Sequence, residues 1–276
     1  MEPNQAEATA LPFSIESPKS CSMSKDTEPL DDLVRLSHAL GDEGAGCAIL
    51  AEGNTSAIVD ARSFYVKASG RSLSTITEEG FCRVASAPIL EAMTGPPIDD
   101  AGVKELLLAS VLEAEPGVMP SVETFFHAWL LTLPDVRFIG HTHPTALNAL
   151  LCSQKAVEHA NGRLFPDHIV SCGPAACFVD YVDPGIPLAI AIREAVEAYI
   201  ELWSERPKTI FMRNHGLIAL GATSADVRAA TSMCVKAAEV LQGTIAFGGP
   251  HFLSPEQVQR IHRRPDEAYR RQQIER

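Results

Sequence analysis

His141 and His143 stand one residue apart in the run VRFIGHTHPTALNALL, from Val136 to Leu151. On a β-strand alternate side chains share a face, so residues two apart project the same way and both imidazoles aim at one point. Pro144 has no N–H to give to a sheet, which predicts that the strand ends there and leaves the pair at a strand mouth. Such a pair can ligate a metal, or it can simply pack and hydrogen-bond. Two ligands are fewer than the three that a catalytic zinc takes from its protein. A third candidate is His215 in RNHGLIALG. It lies between two apolar segments with Gly216 behind it, where a sharp turn would face the imidazole to a cleft; the same position also suits an ordinary turn histidine. Together the three residues make a His₃ set, which leaves a metal open positions for substrate.

A metal that polarises a carbonyl still needs an acid or base beside it, and Glu123 is the candidate. It falls in the first turn of a helix predicted over PSVETFFHAWLLTLP (120–134), with Ser121 at the N-cap, just ahead of the histidine strand. A helix N-terminus offers free N–H groups to anions. An acid placed there for the helix dipole alone would look the same, so both readings stand.

The elements that must position these residues follow from periodicity. LDDLVRLSHALG reads as a helix capped by Gly41. CAILAEGNTSAIVDARSFYVKASGRSL reads as two short strands interrupted by polar turns at EGNTS (52–56) and KASGRS (67–72). AGVKELLLASVLE (101–113) is helical, TALNALLCS is a short helix, and DHIVSCG and CFVDYV are strand candidates. PLAIAIREAVEAYIELWSE (187–205) is a long helix, and TIFMRNHGLIALG (209–221) is a strand, a turn and a strand. Thr223 and Asp226 form a capping box ahead of a periodic helix closed by Gly243. With no repeat and no break in composition over 30–276, the pattern predicts one α/β domain. The expected division is a tail over 1–28, the domain itself over 29–249 and a helical extension over 250–276.

The chain has 276 residues, 46% hydrophobic and 21% charged, with a net charge of −12. That charge argues against nucleic acid or an anionic membrane as partner, because phosphate backbones need clustered Lys and Arg. Seven cysteines (Cys21, Cys47, Cys82, Cys152, Cys172, Cys177 and Cys234) are an odd number without a C-x-x-C pair, which points to reduced thiols in a cytoplasmic enzyme. Residues 1–28, rich in Pro, Ser and Glu, read as a disordered tail, not a signal peptide, with Met23 an alternative start. No apolar run has the length of a membrane span.

EGNTS, KASG, PSVETFFH, HTHP and RNHG, in this order, resemble the class II aldolase/adducin family over about Leu30 to Leu241. The resemblance implies a single domain with a central, mainly antiparallel β-sheet flanked by helices, assembled as a homotetramer with sites at subunit interfaces. It implies a zinc-dependent aldolase of the fuculose-phosphate or rhamnulose-phosphate type, working on a sugar or sugar phosphate through a metal-stabilised enolate, with Mn²⁺, Co²⁺ or Fe²⁺ as alternatives to Zn²⁺. Relatives that epimerise, dehydrate or decarboxylate sugar phosphates, and non-catalytic adducin heads, are the alternatives. Carried over by residue, His141, His143 and His215 fall on the metal ligands and Glu123 on the acid–base glutamate. Asn54, Ser69, Gly70 and Ser121 fall on the phosphate loops. Where the aldolases often carry a second serine, this chain has Val122. Either Arg71 or Lys67 compensates, or the substrate carries no phosphate. Candidates for a second proton-transfer group are Tyr181, Tyr269 and Asp167.

Overall fold

The computed structural model describes residues 29–264. The tail expected over 1–28 and the end of the expected extension, with Tyr269, lie outside the described residues. The strands are β1 (Asn54–Asp60), β2 (Ser63–Lys67), β3 (Phe81–Ala85), β4 (Val111–Glu113), β5 (Phe138–Thr142), β6 (Cys177–Val179), β7 (Thr209–Met212) and β8 (Gly216–Gly221). They form one 8-stranded sheet in the order β4-β3-β2-β1-β5-β8-β7-β6. Every neighbouring pair is antiparallel except β6 with β7. The expected mixed α/β fold with a mainly antiparallel sheet is therefore present. Both central strands, β5 and β8, are buried along their whole length. Helices cover both faces there, which is why neither strand shows an apolar/polar alternation in sequence.

The helices are α1 (Pro29–Leu40), α2 (Ser86–Ala92), α3 (Asp100–Ala109), α4 (Thr124–Leu130), α5 (Thr145–Leu151), α6 (Ala156–Asn161), α7 (Pro166–Cys172), α8 (Ile186–Trp203), α9 (Ser224–Thr244) and α10 (Pro255–His262). On one face Phe125, Phe126 and Leu130 of α4 and Leu188, Ile192 and Val196 of α8 pack on Phe64, Val66, Ile139 and Ile218. On the other, Leu33, Leu36 and Leu40 of α1 and Val227 and Ala230 of α9 meet Ala57, Phe138 and Ala219. A Cβ at Gly140 would come within 2.7 Å of both Leu40 and Val227, so this glycine lets the two helices close over the centre of the sheet. Among the described residues no helix is long and apolar enough to cross a membrane.

Several elements differ from their sequence reading. DHIVSCG is not a strand: it lies in α7, with Pro166 in its first turn and Gly173 at its C-cap. The helix expected from Ser121 begins at Thr124 instead. The stretch 101–113 divides into α3 and the edge strand β4. Asn54, expected in a turn, opens β1. The capping box of Thr223 and Asp226 is formed, but α9 runs one residue past Gly243 to Thr244.

Candidate active site

β5 delivers His141 to the centre of the sheet, beside Asn54 of β1 on one side and Ile218 of β8 on the other. His141 is fully buried. Its Nδ1 donates to the carbonyl of Leu217 (3.0 Å), which leaves Nε2 with a lone pair for the cleft. The strand stops at Thr142, and His143 follows with its backbone N–H given to Cys47 (2.8 Å). His215 belongs to the tight connection between β7 and β8, where Met212 pairs with Gly216. The left-handed residue in this connection is Asn214 (φ 54°), a conformation that asparagine tolerates better than most residues, so the sharp turn is made there and not at Gly216. Gly216 serves a different end. A Cβ there would lie 2.4 Å from the Thr142 carbonyl and 2.8 Å from His143, so glycine alone leaves space for the cluster.

One ligand atom from each of His141, His143 and His215 lies within 4.8 Å of the others. Zinc–nitrogen bonds of about 2.0–2.1 Å place tetrahedral ligand atoms roughly 3.3 Å apart, a spacing within reach of small side-chain rotations. The Nε2 atoms of His141 and His143 stand 3.0 Å apart. Because His141 spends its N–H on Leu217, that contact calls for a donor or a cation. Burial pushes the pKa of His141 down to about 4 and also lowers that of His143, keeping both rings in the neutral form that ligation needs. The donor set fits a divalent metal.

Glu123 occupies the N-cap position of α4, but its carboxylate caps no backbone amide. It turns into the cluster, with Oε1 3.2 Å from His215 Nε2 and Oε2 3.4 Å from His141 Nε2. Asn54 Nδ2 donates to Oε2 at 2.6 Å. Burial works against ionisation here, yet the neighbouring histidines and the Asn54 amide hold the pKa well below the usual carboxylate range.

The remaining candidates divide into two sets. Asn54 and Ser121 belong to the cluster: Ser121 Oγ accepts from Asn54 Nδ2 (3.4 Å) and from the Glu123 N–H (3.3 Å). Ser69, Gly70 and Arg71 line a cavity of about 410 Å³ with Gly117, Val118 and Met119. The Ser69 N–H bonds to the Met119 carbonyl (2.9 Å), and Ala68 bridges to Pro120, so the two loops are one unit. Lys67 is buried, its Nζ 3.3 Å from the carbonyls of Ala51 and Ala68; burial lowers its pKa to about 8 and the charge of Glu123 opposes that shift. Val122 is exposed. Tyr181 is exposed beyond β6 and donates to Asp183 (3.0 Å), and Asp167 lies on α7, which carries none of the site residues. The sequence reading missed His127, which is fully buried and bonded to Asn54 and Ser56. Its spacing of four residues from Glu123, one helical turn, was the available signal.

The class II aldolase and adducin N-terminal domain family is matched by residues 31–242. The chain belongs to this family. Among solved class II aldolase-like structures, the N-terminal class II aldolase domain of a Thermoplasma acidophilum protein is 24% identical, with a TM-score of 0.60, over 82% of this chain and 98% of that one. YgbL from Escherichia coli, whose reaction is left open between aldolase, epimerase and decarboxylase, is 17% identical, with a TM-score of 0.63, over 84% and 97%. The L-fuculose 1-phosphate aldolase from Glaciozyma antarctica PI12 is 16% identical, with a TM-score of 0.60, over 94% of each chain. At these identities the likeness establishes the class II aldolase fold. Among curated protein sequences none matches the chain.

Proposed function

We propose that this class II aldolase family member is a divalent-metal-dependent lyase that makes or breaks a carbon–carbon bond in a ketose, with phosphorylated ketoses as the leading substrate class. The observation that carries this reading is the Glu123 carboxylate, buried within 3.2 and 3.4 Å of two of the three clustered imidazoles. His141, His143 and His215 would hold the metal, with zinc first and Mn²⁺, Co²⁺ or Fe²⁺ as alternatives, all suited to imidazole ligands. When bound there, the metal supplies a Lewis acid to substrate oxygens.

The chain's own residues supply the rest. Glu123 takes and returns the proton on the carbon next to the substrate carbonyl, ionised at rest and within reach of the cleft. Asn54 holds that carboxylate by its short bond to Oε2. The paired loops of Ser69, Gly70 and Ser121 offer amide and hydroxyl donors to the anionic end of the substrate, and the Arg71 guanidinium stands in for the donor that Val122 removes. A cytoplasmic homotetramer belongs to the same reading.

Two measurements test it. Metal analysis of protein purified without chelators should give one divalent ion per chain, and His143→Ala should lower its affinity; unchanged stoichiometric binding by that variant would remove the ligand assignment. Incubation with a panel of ketose phosphates and 2-keto acids, followed by NMR, should give aldehyde and ketone fragments. Epimers, dehydration products or carbon dioxide instead would move the same residues to one of the related reactions, the range left open for YgbL. A metal-free protein inert to the whole panel would favour an adducin-head-like binding module.

A further inference from the structure

The geometry points to His127 as the positioning residue that sets which way the Asn54 amide faces and thereby holds Glu123 in place. This inference rests on the reading of Glu123 as the proton-transfer group. An asparagine side chain can turn by 180° about its last bond and exchange donor for acceptor with little change in shape. Against a carboxylate only one orientation works, since Oδ1 facing Oε2 would set two acceptors together. In this molecule Nδ2 faces Oε2 at 2.6 Å, so something must hold Oδ1 at the other end. His127 Nε2 lies 2.5 Å from Oδ1, and His127 Nδ1 lies 2.7 Å from Ser56 Oγ.

The proton arrangement of this chain of groups follows from its carboxylate end. An ionised carboxylate accepts only, so Asn54 must donate through Nδ2 and accept through Oδ1. His127 must then donate through Nε2–H, which leaves Nδ1 as the acceptor for the Ser56 hydroxyl. A neutral imidazole has one N–H and one lone pair, and both are used. The opposite tautomer would face a lone pair to Oδ1 and favour the turned amide. Asn54, Ser56 and His127 are all buried, so water does not substitute for a lost partner. The spacing that builds the ladder is regular: Asn54 and Ser56 are two apart on β1, while Glu123 and His127 are one turn apart at the start of α4.

Two variants and one spectroscopic measurement test the inference. His127→Gln keeps a donor and an acceptor at similar reach and should retain most of the turnover on the substrate found with the panel above. His127→Leu removes both and should lower kcat by about 10- to 100-fold with KM and metal stoichiometry little changed, the scale expected for a group acting through another. Asn54→Ala should lose a similar factor, and the His127→Leu/Asn54→Ala double variant should be no slower than Asn54→Ala alone. Losses that multiply would overturn the inference, because the two residues would then act independently. Since His127→Leu can fail to fold, ¹⁵N NMR of the imidazoles in the wild-type protein provides a separate reading, with and without added zinc. Nε2 should carry the proton and Nδ1 should not, and Asn54→Ala should remove that preference. The Nδ1–H tautomer in the wild type would sink the inference. If no substrate is turned over, the proposed function fails while the tautomer measurement still decides the role of His127.

Discussion

Glu123 and Arg163 are both charged side chains with less than a tenth of their surface exposed, 7% and 1%, yet they are satisfied in opposite ways. Glu123 is met by side chains from three different segments, two of them imidazoles, at the edge of a cleft. Arg163 is met by backbone: Nε donates to the Gly173 carbonyl (2.8 Å), and Nη1 donates to the carbonyls of Ala160 (3.0 Å) and Gly162 (3.4 Å). Among the described residues no carboxylate forms an ion pair with it, and Nη2 has no hydrogen-bond partner. Beside it lies the thiol pair Cys172 and Cys234, with sulfurs 3.5 Å apart. The hydrogen bond from Cys234 lowers the pKa of Cys172, the charge of Arg163 adds to that, and Cys234 is pushed well above its usual value. A guanidinium spent on carbonyls at the ends of α6 and α7 fastens loops. A carboxylate surrounded by titratable side chains is the arrangement on which the proposed proton transfer rests.

The comparison predicts that changes in one region cost turnover and changes in the other cost stability. Glu123→Gln should lower kcat by about two to four orders of magnitude, the contribution of a general acid–base group, while the thermal midpoint and bound metal stay close to wild type. A large loss of stability with turnover retained would reassign Glu123 to structure. Arg163→Met should do the reverse, losing roughly 2–4 kcal/mol in denaturant melts because the carbonyls it serves are left unpaired in the interior, with kcat of the folded fraction unchanged.

Arg71 sharpens the contrast between arginines, since it is exposed beside a cavity where Arg163 is enclosed. Arg71→Ala should weaken a phosphorylated ligand by roughly 1.5–3 kcal/mol, the scale of a hydrogen bond to a charged group, and an unphosphorylated analogue much less. Equal losses for both, measured by calorimetry, would show that this loop does not read phosphate.

The last effect is in pH. Burial, helped by the charge of Arg163, pushes the pKa of His168 down to about 3. In the unfolded chain a histidine titrates near 6.5, so below that pH the unfolded state takes up a proton that the folded state refuses. The stabilisation is thus complete above about pH 6.5 and is lost toward pH 3, at roughly 1.4 kcal/mol per pH unit for this residue. Urea melts between pH 7 and 4.5 should show at least that slope, since buried His127 and His141 also titrate low and add to it, and His168→Gln should reduce it by the share of one histidine. An unchanged slope in the variant would mean that other groups carry it.

Much of the site was legible because its signals are local. The two-residue spacing of His141 and His143 and a stop near Pro144 need only strand geometry: the two rings do lie together, although β5 already ends at Thr142 and leaves His143 just beyond it. The misreadings arose where short apolar runs carry no period. Ile169, Val170 and Cys172 suggested a strand, while Pro166 and Gly173, the first-turn proline and the C-terminal glycine of a helix, were the better guide. Ser121 has every local preference for an N-cap, yet its hydroxyl is used by Asn54 and the Glu123 N–H, and the loop ahead of α4 is tied to Ala68, just past the end of the distant β2. The spacing of His127 from Glu123 places the two on one helix face, but its partners Asn54 and Ser56 follow only from β1 lying against α4. Contacts that join residues about 70 positions apart leave no trace in a window of neighbours.

That separation has a consequence in time. Asn54 meets His141 through the register of β1 with β5, and His141 meets the β8 hairpin through the register of β5 with β8. A slip of one residue in either pairing would turn an imidazole to the opposite side of the sheet. The loops that must close first are long, and long-range strand pairing is the slow part of folding. The imidazole cluster therefore comes into being only after the middle of the sheet has zipped in correct register.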